Sequence, residues 1–213
     1  ARGAIRPVSA LLLLIVLLAI SLSVVLSLDE VSRQICLLLS ISALPAILLY
    51  PSAKRWCAYP QAVLAFCWGF AVLIPWAAAE RSLALQPALI SCWLATVLWT
   101  FGFDTVYAMA DRRDDAVIGL NSSALSLGSH AVFAVRACYV FTVVALGAAA
   151  FSTDIHPVFW LFWLGASLLM QISCRALNQG NANMASFALH LRRHVQLCSM
   201  LLLGLIVSLA LTG

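Results

Sequence analysis

Between Ser9 and Leu28 no side chain carries a charge, and six further apolar runs of similar length follow along the chain. Hydrocarbon offers no hydrogen-bond partner to a bare backbone, so runs of this kind are stable only as helices or as a closed barrel. A helix needs about 20 apolar residues to cross a bilayer. The runs have that length and do not alternate polar with apolar, which selects helices. Seven spans are expected, over 8–28, 31–50, 61–79, 88–109, 130–150, 157–176 and 193–211. Composition agrees: 64% of residues are hydrophobic and 9% charged, against roughly a half and a quarter in an ordinary soluble domain. The fold class is therefore all-α, a polytopic membrane helical bundle.

The first run is a poor signal peptide, because Asp29, Glu30 and a second span follow it where a small-residue cleavage site belongs. Residue 1 is Ala and not Met, so the sequence is expected to begin inside a longer chain. Nothing marks a second domain, and 1–213 is expected to be a single transmembrane domain.

Cations give the orientation. Arg2, Arg6, Lys54, Arg55, Arg112, Arg113, Arg136, Arg175, Arg192 and Arg193 fall at span ends on one side, Arg33 and Arg81 on the other. By the positive-inside rule the first side is cytoplasmic, and an integral, multi-pass protein of the cell's inner (plasma) membrane is expected, with its polar loops toward the cytoplasm. The net charge of +4 describes this topology and gives no case for nucleic acid. Cys36, Cys57, Cys67, Cys92, Cys138, Cys174 and Cys198 have no close pair and read as small packing residues. The tryptophans read as interfacial or packing groups. The histidines His130, His156, His190 and His194 show no ligand set and receive no metal role.

Polar content concentrates in the loops 51–60 and 111–129 and in the stretch 178–193, which is amide-rich and then basic. The last is either a solvated connection or a lid over a cytoplasmic pocket. In the second loop and the span before it, Asp104, Tyr107, Asp111 and Asp115 are spaced i, i+3, i+7 and i+11, one face if the helix continues. Asp104 lies within an apolar run, where an ionisable group needs a cavity or a partner. Asp111 and Asp115 stand one turn apart and suit Mg²⁺, an oxygen-seeking cation that keeps positions for water or substrate phosphates. The same residues with Arg112 and Arg113 also make sense as a solvated, self-neutralising loop. At the end of the second span stand Tyr50, Lys54 and Arg55. Lys54 suits a phosphate and Arg55 a carboxylate, although positive-inside anchoring alone also accounts for such a pair. Acidic and basic clusters on one face together read as a metal-assisted diphosphate site.

These residues resemble those of the UbiA superfamily of intramembrane prenyltransferases, and most of all its 4-hydroxybenzoate polyprenyltransferases. The resemblance rests on Gly3-Ala4-Ile5, on Tyr50-Pro51-Ser52-Ala53-Lys54-Arg55 with Pro60-Gln61, and on the long string from Asp104 through Tyr107, Asp111 and Asp115 to Ile118-Gly119 and Ser122-Ser123-Ala124. It implies a nine-helix bundle in which two Asp-rich motifs face each other across a cavity. Asp111 and Asp115 match the second motif and Tyr50 and Lys54 a Tyr-x-x-x-Lys motif. The first motif, Asn-Asp-x-x-Asp-x-x-x-Asp, is absent and is expected to precede Ala1, so the domain is expected to be N-terminally incomplete. Asn121 stands where many members carry Lys.

The implied activity is transfer of a polyprenyl group from polyprenyl diphosphate to the ring of 4-hydroxybenzoate in ubiquinone or plastoquinone biosynthesis. Mg²⁺ on Asp111 and Asp115 serves as cofactor, Asp104 and Tyr107 complete the catalytic set, and Tyr50, Lys54, Arg55 and Arg112 bind substrates. The alternatives are another aromatic acceptor, such as homogentisate, a naphthoate, a chlorophyllide or haem, or a non-catalytic or transport protein of helical form. Transport by inverted repeats is disfavoured: Pro45, Pro75 and Pro87 interrupt apolar stretches without forming the expected pairs of broken helices.

Overall fold

A computed structural model describes residues 6–177 and 184–212. The described residues form nine α-helices: α1 (Pro7–Leu26), α2 (Glu30–Trp56), α3 (Pro60–Glu80), α4 (Pro87–Ala110), α5 (Arg112–Ile118), α6 (Ser123–Leu127), α7 (Ala131–Phe151), α8 (Phe159–Arg175) and α9 (Met184–Thr212). A 3-10 turn, Gly128–His130, joins α6 to α7. Each of the seven expected spans corresponds to a long helix. Among the described residues six stretches are long and apolar enough to cross a bilayer, counting Ser123–Phe151 as one. The seventh, α8, has 17 residues, the lower end of what a crossing needs.

The side chains are sorted for lipid, not water. Leu, Ile and Val residues cover the outside of α1, and none of its residues is buried. The contacts between helices are made largely by small residues, including Ala43, Ala65, Ala77, Ala95, Gly102, Ala145 and Ala166. Lipid tails are as apolar as leucine, so helices gain by approaching closely over small residues. α2 packs on α3, α3 on α4, α4 on α7, α7 on α8 and α8 on α9, and α4 also touches α9. Gly102 shows why size matters here: a Cβ at that position would stand 2.8 Å from Cε1 of the buried Tyr139.

Three boundaries differ from those expected. α2 runs through Pro51 to Trp56, so Lys54 and Arg55 lie in its last helical turn, not in a loop, where the negative end of the helix dipole favours cations. The loop 111–129 is folded into α5 and α6. Residues 184–193 of the expected connection or lid belong to α9 and include the buried His190; residues 178–183, like Gly3-Ala4-Ile5, lie outside the described residues.

The sparse end of the bundle is tied by its own charges. Asp29 caps α2, accepting from the backbone N–H of Val31 and Ser32, and pairs with Arg81 at 2.9 Å; Arg33 pairs with Glu30. Hydrogen bonding from Ser32, with the Arg81 charge beside it, holds the Asp29 carboxyl below the usual carboxylate range. A carboxylate with a lowered folded-state pKa contributes stability above its unfolded pKa and loses it as pH falls through the folded value. Asp29→Ala is therefore expected to lower Tm at neutral pH, and the gap from wild type to close as pH drops below about 3.9; thermal unfolding in detergent across that range checks it.

Candidate functional site

Tyr50 and Lys54 lie one turn apart at the end of α2, and so share a face. Across from them, α4 ends at Ala110. Asp111 leaves helical geometry with φ −90° and ψ 2°, and α5 begins at Arg112. The single continuous helix expected through Asp115 is thus broken at Asp111. The spacing survives the break, because the backbone still bonds at helical intervals, from Asp111 N–H to Tyr107 O (3.4 Å) and from Asp115 N–H to Asp111 O (2.9 Å).

The break carries Asp115 to Lys54. The Lys54 ammonium donates to both carboxylate oxygens, at 3.0 and 3.1 Å. Asp115 is buried and Lys54 half-buried, with side chains 5% and 36% exposed. Asp104, half-buried on α4, lies within electrostatic reach of Lys54 and Asp111, and Tyr50 within reach of Asp104. Acidic and basic clusters separated widely in sequence therefore meet at one end of the bundle. Asp111, Tyr107 and Arg55 are exposed there and Arg112 is partly so.

Several groups that sequence reasoning did not assign a role hold this geometry. Gly119, at φ +72°, closes α5 in the left-handed region where glycine is favoured. The chain then turns back, and Asn121 N–H donates to Lys54 O at 2.8 Å. Ser122 caps α6 through Leu125 N–H. Ser123 fixes α6 to two helices at once: its N–H donates to Gln61 Oε1 at 2.7 Å, and its hydroxyl meets that of Thr105 at 2.8 Å. The Thr105 proton goes to Phe101 O, so Ser123 is the donor. With Ser126 donating to Ala58 O at 2.6 Å, α6 is fastened to α3 and α4 and anchors the segment bearing Asp115. Ser122, Ser123 and Gln61 stand in the strings that carry the family resemblance, which was the available signal for their importance.

On the neighbouring side of α4 lies a polar cluster within the apolar core, also unassigned from sequence. Tyr139 meets His190 Nε2 at 3.0 Å, Trp99 Nε1 donates to His194 Nδ1 at 3.0 Å, and Ser173 meets His194 Nε2 at 3.3 Å. It ties α4, α7, α8 and α9 together. All seven cysteines are free, in keeping with a packing role.

Carboxylate oxygens are the donors that Mg²⁺ takes. Among the described residues no three His, Cys, Asp or Glu side chains are grouped closely enough to hold a metal ion by themselves. Asp111 and Asp115 supply oxygens of the kind Mg²⁺ takes, but they are only two residues, and both oxygens of Asp115 already accept from Lys54.

The pattern of the UbiA prenyltransferase family matches residues 1–210. The chain is 47% identical over 123 residues to a 4-hydroxybenzoate solanesyltransferase of Synechocystis sp., an alignment covering 58% of this chain and 41% of that protein. It is 33% identical over 176 residues to a 4-hydroxybenzoate octaprenyltransferase of Janthinobacterium sp., covering 82% and 57%. The chain thus spans about half the length of these relatives. In solved structures its fold matches that of a chain described as digeranylgeranylglyceryl phosphate synthase in membranes, with a TM-score of 0.67 at 16% identity, covering 97% of this chain and 71% of the other. With a matched pattern running almost end to end over an all-helical membrane bundle, the chain belongs to the UbiA prenyltransferase family.

Proposed function

We propose that the chain forms part of an enzyme that transfers a polyprenyl group from polyprenyl diphosphate to the ring of 4-hydroxybenzoate, a step of quinone biosynthesis. The observation that carries this reading is the meeting of Lys54 with Asp115, beside Asp104 and Asp111, at one end of a bundle whose relatives are named for that transfer. Asp111 and Asp115 would hold Mg²⁺ with the diphosphate oxygens, and the bound cation would supply neutralisation of charge on the leaving group.

The protein's own groups do the rest. Lys54, and Arg112 next to Asp111 in the chain, would place positive charge where the departing diphosphate develops negative charge. Asp104 and the face of the Tyr107 ring offer negative potential to the allylic carbon as it becomes cationic. Tyr50, on the Lys54 face of α2, lines the same space. Arg55 takes the carboxylate of the aromatic acid as a two-pronged donor. The cation-rich end reads as cytoplasmic by the positive-inside rule, which supports a site on the inner face of the membrane.

The test is the full-length protein in vesicles with labelled 4-hydroxybenzoate, a polyprenyl diphosphate and Mg²⁺. Prenylated acid is expected, with little when Mg²⁺ is omitted; no product under complete conditions overturns the reading. Arg55→Ala is expected to raise KM for the acid about tenfold or more, the loss of a charge-assisted contact, with KM for the diphosphate unchanged. A shift in the diphosphate KM alone would reassign Arg55 to the phosphates.

A further inference from the structure

Beyond Asp115 the chain carries a single carboxylate side chain, Asp154, in the connection between α7 and α8. That connection lies at the sparse end of the bundle. At the cation-rich end of the same helices stand Arg136, Arg175, Arg192 and Arg193, and none of them has a carboxylate partner among the described residues. The positive-inside rule asks only that cations lie on this side of the membrane. It does not ask that they gather at one helix end.

Three of them do. α4, α7, α8 and α9 close a ring in which each touches the next, so α7, α8 and α9 each turn a side outward. On α8 that side is marked by the exposed Leu164, Leu168 and Ile172, which recur at helical intervals and face lipid. Arg175, also exposed, continues the same stripe and ends the helix. On α7 the exposed Phe133, Val140 and Val144 form the corresponding stripe, and Arg136 stands in it, exposed too. Arg136 lies within electrostatic reach of Cys174, the residue before Arg175. Arg193 of α9 crosses to α8 and donates to Ile172 O at 3.4 Å. Guanidinium groups from three helices therefore surround the end of α8.

Their level in the membrane decides what they face. α8 has 17 residues, about 25 Å at the rise of an α-helix, against ~30 Å of hydrocarbon. A short span is met by flanking side chains that reach for the headgroups and by local thinning of the bilayer. Arg136 lies inside the apolar stretch Ser123–Phe151, where an exposed charge is costly unless it reaches water or an anion. On the outward face the anion at that level is the lipid phosphate, which a guanidinium holds through paired N–H donors. The last carbonyls of α8 would repel such a group. Arg193 offsets them by giving one N–H to Ile172 O, and it keeps other donors for a ligand.

We infer that Arg136, Arg175 and Arg193 form a binding site for the headgroup phosphate of an anionic phospholipid, whose acyl chains lie along the outward stripes of α7 and α8. Basic pockets between membrane helices on the cytoplasmic side are suited to such headgroups in general. Lys54 stands on α2, which packs on α3 outside this ring, so the lipid site is separate from the Lys54–Asp115 site and does not depend on the proposed transfer.

The test is equilibrium binding of a fluorescent phosphatidylglycerol to the full-length protein in neutral detergent, competed by unlabelled phosphatidylglycerol, phosphatidylcholine or inorganic phosphate. Each cation beside an anionic headgroup contributes about a fivefold preference. Wild type is therefore expected to prefer phosphatidylglycerol over phosphatidylcholine by about tenfold or more. Arg136→Gln and Arg175→Gln, at exposed positions with no ion pair to lose, are each expected to lower that preference about fivefold. Arg113→Gln, exposed on α5, is expected to leave it unchanged. Equal binding of the two lipids by wild type, or equal losses in Arg113→Gln and Arg175→Gln, overturns the site in favour of diffuse surface charge. Displacement of the labelled lipid by inorganic phosphate as readily as by phosphatidylglycerol makes it a site for the free anion and overturns the lipid assignment. In prenyl-transfer assays Arg175→Gln is expected to leave KM for the diphosphate unchanged; a rise of about fivefold would give these arginines to the substrate and overturn the inference.

Discussion

Asp111→Asn in the full-length protein is expected to reduce Mg²⁺-dependent prenyl transfer on the order of a thousandfold, the scale on which loss of one preorganised electrostatic contact to developing charge acts. Asp115→Asn should do the same. Asn keeps the shape of the side chain and removes its charge, and a neutral amide oxygen is a far weaker partner for a divalent cation beside a diphosphate. Asp111 is the cleaner of the two. It is exposed, so its replacement is expected to leave Tm unchanged while activity falls, whereas Asp115→Asn also removes the partner of Lys54. Asp154→Asn at the opposite end serves as the control. Asp154 has φ +49°, a left-handed conformation that asparagine tolerates as well as aspartate, so that variant keeps its fold and should keep full rate. Product formation at wild-type rate in both Asp111→Asn and Asp115→Asn would remove these residues from the site.

The spans were legible because the bilayer leaves a chain few choices: a run of about 20 apolar residues is a helix wherever it falls. The ends of the helices were less so. Pro51 reads as a stop, yet α2 continues past it to Trp56, where Lys54 is engaged by Asp115 from the far side of the fold. Asp104, Tyr107, Asp111 and Asp115 were found by their spacing, and their sharing a site with Lys54 from the common membrane face, but neither shows the break at Asp111 or the direct pairing of Lys54 with Asp115 across 61 residues. The histidines of α9 were set aside because no ligand set stands at metal spacing, a criterion that says nothing of a buried hydrogen-bonded role. A signal was present. Leu197, Gly204 and Ser208 are buried on α9, and the same stripe carried back by three and by seven residues from Leu197 lands on His194 and His190.

The Lys54–Asp115 pair separates what a charge does for the fold from what it does for the reaction. Breaking a fully buried pair by removing one partner costs about 3–5 kcal/mol, because the other charge stays behind without compensation. Lys54 is more than a third exposed, and solvent screening brings the expected cost of Lys54→Met down to about 1–2 kcal/mol. Adding Asp115→Asn removes the stranded carboxylate, so the double variant Lys54→Met/Asp115→Asn should recover most of the lost Tm, as coupled neighbours do in a double-mutant cycle. Its activity should stay at the level of the worse single variant, about a thousandfold down, because under the proposed function the ammonium that would face the diphosphate and the carboxylate that would help hold the cation are both gone. Thermal unfolding and prenyl transfer measured on the four proteins of the cycle read the two effects apart. Recovery of both Tm and rate in the double variant would make the pair structural only. Loss of rate without any change in Tm in Lys54→Met would mean that Asp115 finds another counter-charge, with Arg113 and Arg112 the cations nearest to it in the chain.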